Sequence, residues 1–255
     1  IWFYWKMKKE LLERYSRQII IKDIGALGQK KISSSKILII GAGGLGCPVA
    51  DLLSRAGVGE IGIVDNDKVT LSNLHRQTIY NYKDINKYKV NVLKDKIKKI
   101  NSNVKIKVFK VRITENNANN IIKKYDFIID GSDNFKTKFV VNKICLKLKK
   151  KLIVGAISKF QGHIFTFNFK NSRAPCLQCF YQSIPSDEIL NCEADGVIGP
   201  IATLIGSIKS SEILKMILQI GKNVFGKIFI FDLLTLESRS IKFDKKKNCV
   251  CKKYF

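Results

Sequence analysis

Asp65, Arg76, Lys89 and Asp133 are the side chains of this sequence best suited to hold a nucleoside triphosphate and a divalent metal. Cations neutralise phosphate oxygens, and an aspartate takes a hard metal ion through oxygen. A phosphate also needs a cradle, and Gly41-Ala42-Gly43-Gly44-Leu45-Gly46 offers one. Gly41, Gly43 and Gly46 have GxGxxG spacing, between the apolar run Ile37–Ile40 and a helical pattern carried by Val49, Leu52, Leu53 and Ala56. A strand, a tight turn and a helix start aim free backbone N–H groups at a phosphate. A second apolar run, Ile61–Val64, ends in Asp65, about 20 residues beyond the glycines, where an acid meets a ribose hydroxyl. The turn and Asp65 alone fit an NAD-dependent oxidoreductase equally well.

The loops that follow separate the two ligands. Asp67-Lys68-Val69-Thr70-Leu71-Ser72-Asn73-Leu74-His75-Arg76-Gln77 puts an amide, a hydroxyl and an arginine beside the phosphate turn, and Lys89 opens the next helix. Asp130-Gly131-Ser132-Asp133-Asn134 closes another strand on the same rim. Such groups serve ATP with Mg²⁺ and have no job at a nicotinamide. Within that run, Asp130 is expected to cap the following helix rather than to bind metal. His75 and His163 lack metal-ligand spacing and are expected as a loop residue and a strand residue.

The elements that must position these groups alternate between strand and helix. A helix is expected over 87–100, a strand over 104–111, a short helix over 119–124 and a buried strand over 127–130. An amphipathic segment over 134–149 and a buried strand over 152–155 follow. The alternation implies a mostly parallel Rossmann-like α/β sheet with helices on both faces, and the expected fold adds an N-terminal helix and C-terminal antiparallel strands with a cysteine-rich appendage. Gly162–Phe169 then alternates with the period of an antiparallel strand. Residues 171–195 lack periodicity and are expected as a long crossover loop of functional origin. An apolar helix over 201–220 and a strand pair, 227–231 with 238–243, complete the chain. The expected organisation is one domain over 1–255: a nucleotide-binding half over about 33–160, a crossover loop over about 171–197 and a C-terminal half over about 198–255.

Seven cysteines, an odd number in clustered positions, argue against a disulfide framework. Cys176-Leu177-Gln178-Cys179 is a CxxC knuckle suited to tetrahedral Zn²⁺ when a second pair lies nearby. Cys249-Val250-Cys251 is a CxC; two thiolates so spaced can bind one metal, but not with the knuckle geometry of a CxxC. Cys47 and Cys145 lie on helices and read as small core hydrophobes.

Lysine and arginine number 46 against 21 acidic residues, a formal net charge of +25. The lysines are spread along the whole chain, beside abundant isoleucine and asparagine. A nucleic-acid partner would want a stripe interleaved with exposed aromatics, so nucleic acid is not the expected partner. A basic surface also attracts ATP and an acidic protein. No apolar run reaches the ~18–20 residues that span a bilayer, and no cleavage site follows Ile1–Trp5. A cytoplasmic protein without a membrane partner is expected, with Met7 a candidate start.

Arg14-Tyr15-Ser16-Arg17-Gln18-Ile19, the GAGGLG turn, LSNLHRQ and DGSDN stand in the order of the MoeB/ThiF/HesA family, which this chain resembles from about Glu13 onwards. These are bacterial relatives of ubiquitin-activating enzymes. The resemblance implies an adenylyltransferase that uses MgATP to adenylate the C-terminal glycine of a ubiquitin-like sulfur-carrier protein of molybdopterin or thiamine biosynthesis, releasing pyrophosphate. It implies that Gly41, Gly43, Gly44 and Gly46 line the phosphates and that Asp65 binds the ribose. Ser72, Asn73, Leu74, His75, Arg76 and Lys89 would contact the nucleotide, and Asp133 beside Asn134 would hold magnesium. Arg17 would reach into the partner's site of a homodimer. Family members complete the zinc site with a C-terminal CxxC, here the shorter Cys249/Cys251 pair. Cys192 stands where many relatives carry a reactive cysteine for carrier chemistry, with a sulfurtransferase or cysteine desulfurase as the further partner. A tRNA-modifying branch of the same family is the alternative.

Overall fold

The computed structural model describes residues 8–181, 183–184 and 196–254. Short runs of branched apolar residues form its central strands, β1 (Lys36–Ile40), β2 (Glu60–Val64) and β4 (Phe127–Asp130). Apart from Lys36, every residue of the three is buried, as parallel strands covered on both faces require. With β3 (Lys105–Phe109), β5 (Lys151–Ser158), β6 (Gln161–Asn168), β7 (Lys227–Asp232) and β8 (Glu237–Lys242) they make one sheet in the order β3-β2-β1-β4-β5-β6-β7-β8. Pairing is parallel from β3 to β5 and antiparallel from β5 to β8.

Register brings the site together. Ile40 pairs with Val64 on one side and Asp130 on the other. The residues that follow, Gly41, Asp65 and Gly131, therefore emerge level at the carboxyl edge of the sheet. The strand order reverses between β1 and β4 there, the place where open α/β sheets bind ligands.

Successive residues of a strand face opposite layers. Ile37 and Ile39 point into a core closed by α2 (Gly25–Ser34), α3 (Gly46–Arg55), α4 (Lys89–Ile100) and α8 (Gly199–Leu218). Leu38 and Ile40 point into a second core with α5 (Glu115–Ile122), α6 (Phe135–Lys147) and α7 (Leu177–Phe180). Phe165, Phe167 and Phe180 stack or cross edge to face within that second core. The basic helix α1 (Lys9–Ile19) tethers its Gln18 to Gln29 and to the Ala56 carbonyl.

Several expectations need correction. Helix α2 was not expected, because Gly25 and Gly28 interrupt its apolar pattern. Gly28 lets α2 pack closely on α8: a Cβ there would stand 2.8 Å from the Leu218 side chain. Helix α5 starts at Glu115, not near 119, since Thr114 and Asn117 form a capping box. Strand β5 continues past Gly155 to Ser158 because β6 pairs along its whole length. The expected crossover loop contains the short helix α7. Asp130 does not cap α6; Asn134 does, its side chain accepting from the Thr137 amide at 2.9 Å.

Candidate nucleotide site and cysteine cluster

Gly41 turns the chain out of β1 with φ of +90°, and a Cβ there would meet the Gly131 carbonyl at 2.8 Å. At Gly46 a Cβ would stand 1.8 Å from the Gly41 carbonyl. The two loops at the ends of β1 and β4 are thus pressed together, and only glycine permits the approach. The Gly41 amide donates to the Val64 carbonyl and the Gly131 amide to the Ile40 carbonyl, each at 2.8 Å.

Asp65 holds the turn in shape. The amide of Ala42 donates to its Oδ2 and the amide of Asp67 to its Oδ1, both at 2.7 Å. Burial raises its carboxyl above the ordinary aspartate value, against the pull of Lys89 and the two amide bonds. Tyr80 supports the next peptide of the turn, donating to the Ala42 carbonyl at 2.9 Å. Burial pushes the neighbouring Cys47 thiol up to about 12, as expected of an inert core cysteine.

Loop residues close the cleft. Thr70 and Asn73 form a capping box on the single turn Leu71–Asn73. Arg76 donates from Nη1 to the Ser72 carbonyl at 2.9 Å and contacts His75 Nε2 at 2.8 Å. Lys89, nearly buried, reaches Asp67 Oδ2 at 3.1 Å. The result is a cleft of about 1150 Å³ lined by Gly41, Gly43, Gly44, Asp65, Ser72, Asn73, His75, Arg76, Lys89, Asp133 and Asn134. Fourfold cation and acid chemistry on one glycine-lined rim suits a triphosphate and its metal.

Two expected ligands stand elsewhere. Leu74 packs against the core and is absent from the lining, because the turn sends its apolar side chain inward. Gly46 is also outside the lining; its service is to let α3 approach the turn. Arg17 lies exposed in the last turn of α1 and does not line the cleft of its own chain. Cys192 falls outside the described residues. His163 lies in β6 and has its basicity lowered by burial and by Arg239.

Other lining groups were not singled out as site residues. Gln77 lines the cleft almost fully buried, and among the described residues its Oε1 has no hydrogen-bond partner. Its place in the LSNLHRQ run was the signal available. Asp130 and Lys138 lie beneath the rim, with Asp130 Oδ1 taking the Ser132 amide at 2.8 Å and its hydroxyl at 2.6 Å. No periodic pattern marks them as polar.

The four sulfurs of Cys176, Cys179, Cys249 and Cys251 all lie within 4.8 Å of one another. Adjacent separations are 3.9 Å (Cys176–Cys179), 3.6 Å (Cys176–Cys249) and 3.7 Å (Cys179–Cys251). A tetrahedral ion with Zn–S bonds of about 2.3 Å sets its sulfurs about 3.8 Å apart. The donor set therefore fits zinc, and the shorter spacing of the C-terminal pair does not prevent convergence. The hydrogen bond between Cys176 and Cys179 holds the Cys179 thiol below the ordinary cysteine value.

The model of the ThiF family matches residues 15–253. The chain is 36% identical over 248 residues to the sulfur carrier protein adenylyltransferase of Thermus thermophilus, covering 95% of this chain and 92% of that protein. It is 38% identical over 241 residues to the adenylyltransferase and sulfurtransferase MOCS3 of Caenorhabditis briggsae, covering 93% of this chain and 60% of that longer protein. The crystal structure of E. coli MccB + MccA-N7isoASN superposes with a TM-score of 0.84 at 20% identity, over 97% of this chain and 76% of that one, a likeness of fold. The glycine turn, the level strand ends and the match across nearly the whole length agree: the chain belongs to the ThiF family.

Proposed function

We propose that this chain is an ATP-dependent adenylyltransferase that activates the C-terminal glycine of a ubiquitin-like sulfur-carrier protein. The observation that carries the reading is the convergence of Arg76, Lys89, Asp65 and Asp133 on one glycine-lined cleft. The relative from Thermus thermophilus, nearly coextensive with this chain, is named for the same reaction.

In the reaction a carboxylate oxygen of the carrier's glycine attacks the α-phosphorus of ATP. The bond to the β-phosphate breaks, pyrophosphate leaves with its electron pair, and an acyl adenylate remains. Asp65 accepts a hydrogen bond from the ribose, and the glycine turn beyond Gly41 and Ala42, whose amides are bonded within the fold, lies against the phosphates. Lys89 and Arg76 hold their charge where it accumulates on the departing pyrophosphate. Lys89 meets Asp67 in the present structure, so the phosphates enter by sharing or displacing that ion pair. Asp133 is the side chain that would hold Mg²⁺, which when bound neutralises the phosphates. No protein nucleophile is needed in this step, which leaves Cys192 to a later transfer of the carrier or of sulfur, fed by a sulfurtransferase or cysteine desulfurase.

Cys176, Cys179, Cys249 and Cys251 would hold Zn²⁺ as a cross-link between α7 and the C-terminal segment. Arg17 would complete the site of a second subunit. Ile20 and Ile21 just after α1, and Leu27 on α2, are apolar yet exposed and favour a homodimer through that region. No helix among the described residues is long and apolar enough to cross a membrane, and a cytoplasmic location follows from the proposed activity.

The test is a mixture of the protein, MgATP and candidate carriers, read by intact-mass spectrometry. A carrier that gains an adenylate on its C-terminal glycine supports the reading. Consumption of ATP without any acyl adenylate, across carriers of both pathways, would refute it.

A further inference from the structure

Helix α8 sends a lysine through the core to the floor of the cleft. Lys209 is fully buried, and its Nζ donates to the Asp130 carbonyl at 2.8 Å. It runs closely past Gly155, where a Cβ would stand 3.0 Å from Lys209 Cδ and 3.1 Å from its Nζ. A second buried lysine, Lys138 of α6, donates to the Ser132 carbonyl at 2.6 Å and to the Gly155 carbonyl at 2.8 Å. Lys138 Nζ also lies 3.4 Å from Asp130 Oδ2. The Asp130–Ser132 turn is thus gripped at two carbonyls, those of Asp130 and Ser132 on either side of Gly131, and at the Asp130 carboxylate.

Two buried ammonium groups beside one carboxylate are an expensive way to satisfy two carbonyl oxygens. Burial, partly offset by Asp130 and reinforced by Lys138, lowers the Lys209 ammonium to about 7. A water or a serine hydroxyl would satisfy the same carbonyl at lower cost. What the lysine adds is a fixed donor, held by a long helix, directly beneath the residue that precedes Gly131. Either protonation state of Lys209 donates to that carbonyl.

We infer that Lys209, together with Lys138, is a positioning residue for the metal–phosphate end of the cleft: the two side chains clamp the Asp130–Ser132 turn and so fix where Asp133 presents its carboxylate. The inference rests on the reading of the cleft as a MgATP site. It divides the cleft into two functional parts. The nucleoside end depends on Asp65, which α8 does not touch through Lys209. The metal–phosphate end depends on the clamp. Lys209 itself touches neither metal nor substrate, so its effect travels through the turn.

The discriminating experiment compares MgATP and adenosine binding to the full chain by calorimetry, for the wild type, Lys209→Met and Lys209→Gln. In Lys209→Met the MgATP dissociation constant should rise on the order of 10–100-fold, as for supports of a metal ligand, while that of adenosine keeps its wild-type value. Lys209→Gln, which keeps a donor on a shorter arm, should fall between the two and serves alone if Lys209→Met does not fold. Equal losses for MgATP and adenosine in a folded variant would reduce Lys209 to a general structural role and overturn the inference. Unchanged MgATP affinity would overturn it too. A wild type that binds adenosine but gains nothing from the phosphates and magnesium would instead refute the MgATP reading beneath it.

Discussion

The amide of Ala42 donates to Asp65 Oδ2 at 2.7 Å, joining the glycine turn after β1 to the acid after β2. Asp65 therefore has two duties, shaping the phosphate turn and receiving the ribose. Its second oxygen is occupied by the Asp67 amide, and Asp67 in turn reaches Lys89. Turn, acid, loop and lysine form one connected unit.

Asp65→Asn should therefore cost more than a ribose contact. An amide offers one oxygen to two N–H donors and sets its own NH₂ against the other. A loss of about 1–3 kcal/mol in stability is expected from the unpaired donor, with nucleotide affinity falling at least as far. Chemical denaturation and calorimetry measure both. Full stability with weakened ATP binding alone would confine Asp65 to the ribose.

The same carboxyl sets a pH dependence. Burial raises it above the ordinary aspartate value, so the folded protein keeps its proton at pH values where the unfolded chain has lost it. By linkage, Asp65 makes the fold less stable as pH rises through that window, between the unfolded value and the raised folded one. Nucleotide binding moves the opposite way, since the ribose and the Ala42 amide need the ionised form. ATP affinity should fall on acidification at a pH above the usual aspartate range, and that inflection should vanish in Asp65→Asn. A wild-type inflection at the ordinary value would contradict the burial argument.

The cysteine cluster predicts metal content. Purified protein should carry about one equivalent of zinc by elemental analysis. Cys176→Ser should lose the ion and melt about 6–12 °C lower, for a loss of ~3 kcal/mol at this chain length. Metal-free wild type that melts at the same temperature with and without added zinc would dismiss the site.

Much of this was legible in the chain because the relevant signals are local. The GxGxxG turn, Asp65 at a strand end and the DGSDN run each sit at the close of an apolar run, and strand register does the rest. The CxxC and CxC pairs are 70 residues apart at their nearest cysteines; the CxxC suggested a metal, and the family resemblance supplied the second pair. What stayed hidden depends on long-range packing. Lys209 lies in an apolar helix where a single lysine reads as a surface residue, and its target is a carbonyl 79 positions away. Helix α2 was obscured by Gly28, which packs closely against Leu218 on α8. Asp130 looked like a helix cap because its partners, Lys138 and Ser132, are revealed only when the turn is folded.

Arg17 gives a test of assembly. An arginine that serves its neighbour needs a symmetric dimer. Inactive Arg17→Ala and Asp133→Ala subunits, once mixed, should regain activity, since each hybrid dimer assembles one intact site of two. No recovery despite demonstrated subunit exchange would place Arg17 outside the active site.

Carrier-dependent ATP–pyrophosphate exchange tests the central claim most directly, because it reports acyl-adenylate formation and nothing later. Wild type should exchange only with a carrier that retains its C-terminal glycine. Asp133→Ala should fall on the order of 10²–10³ or more, from lost stabilisation of the transition state. Cys192→Ala should stay within a few-fold of wild type, even where sulfur transfer fails. Exchange that persists in Asp133→Ala, or disappears in a folded Cys192→Ala, would contradict this account of the site.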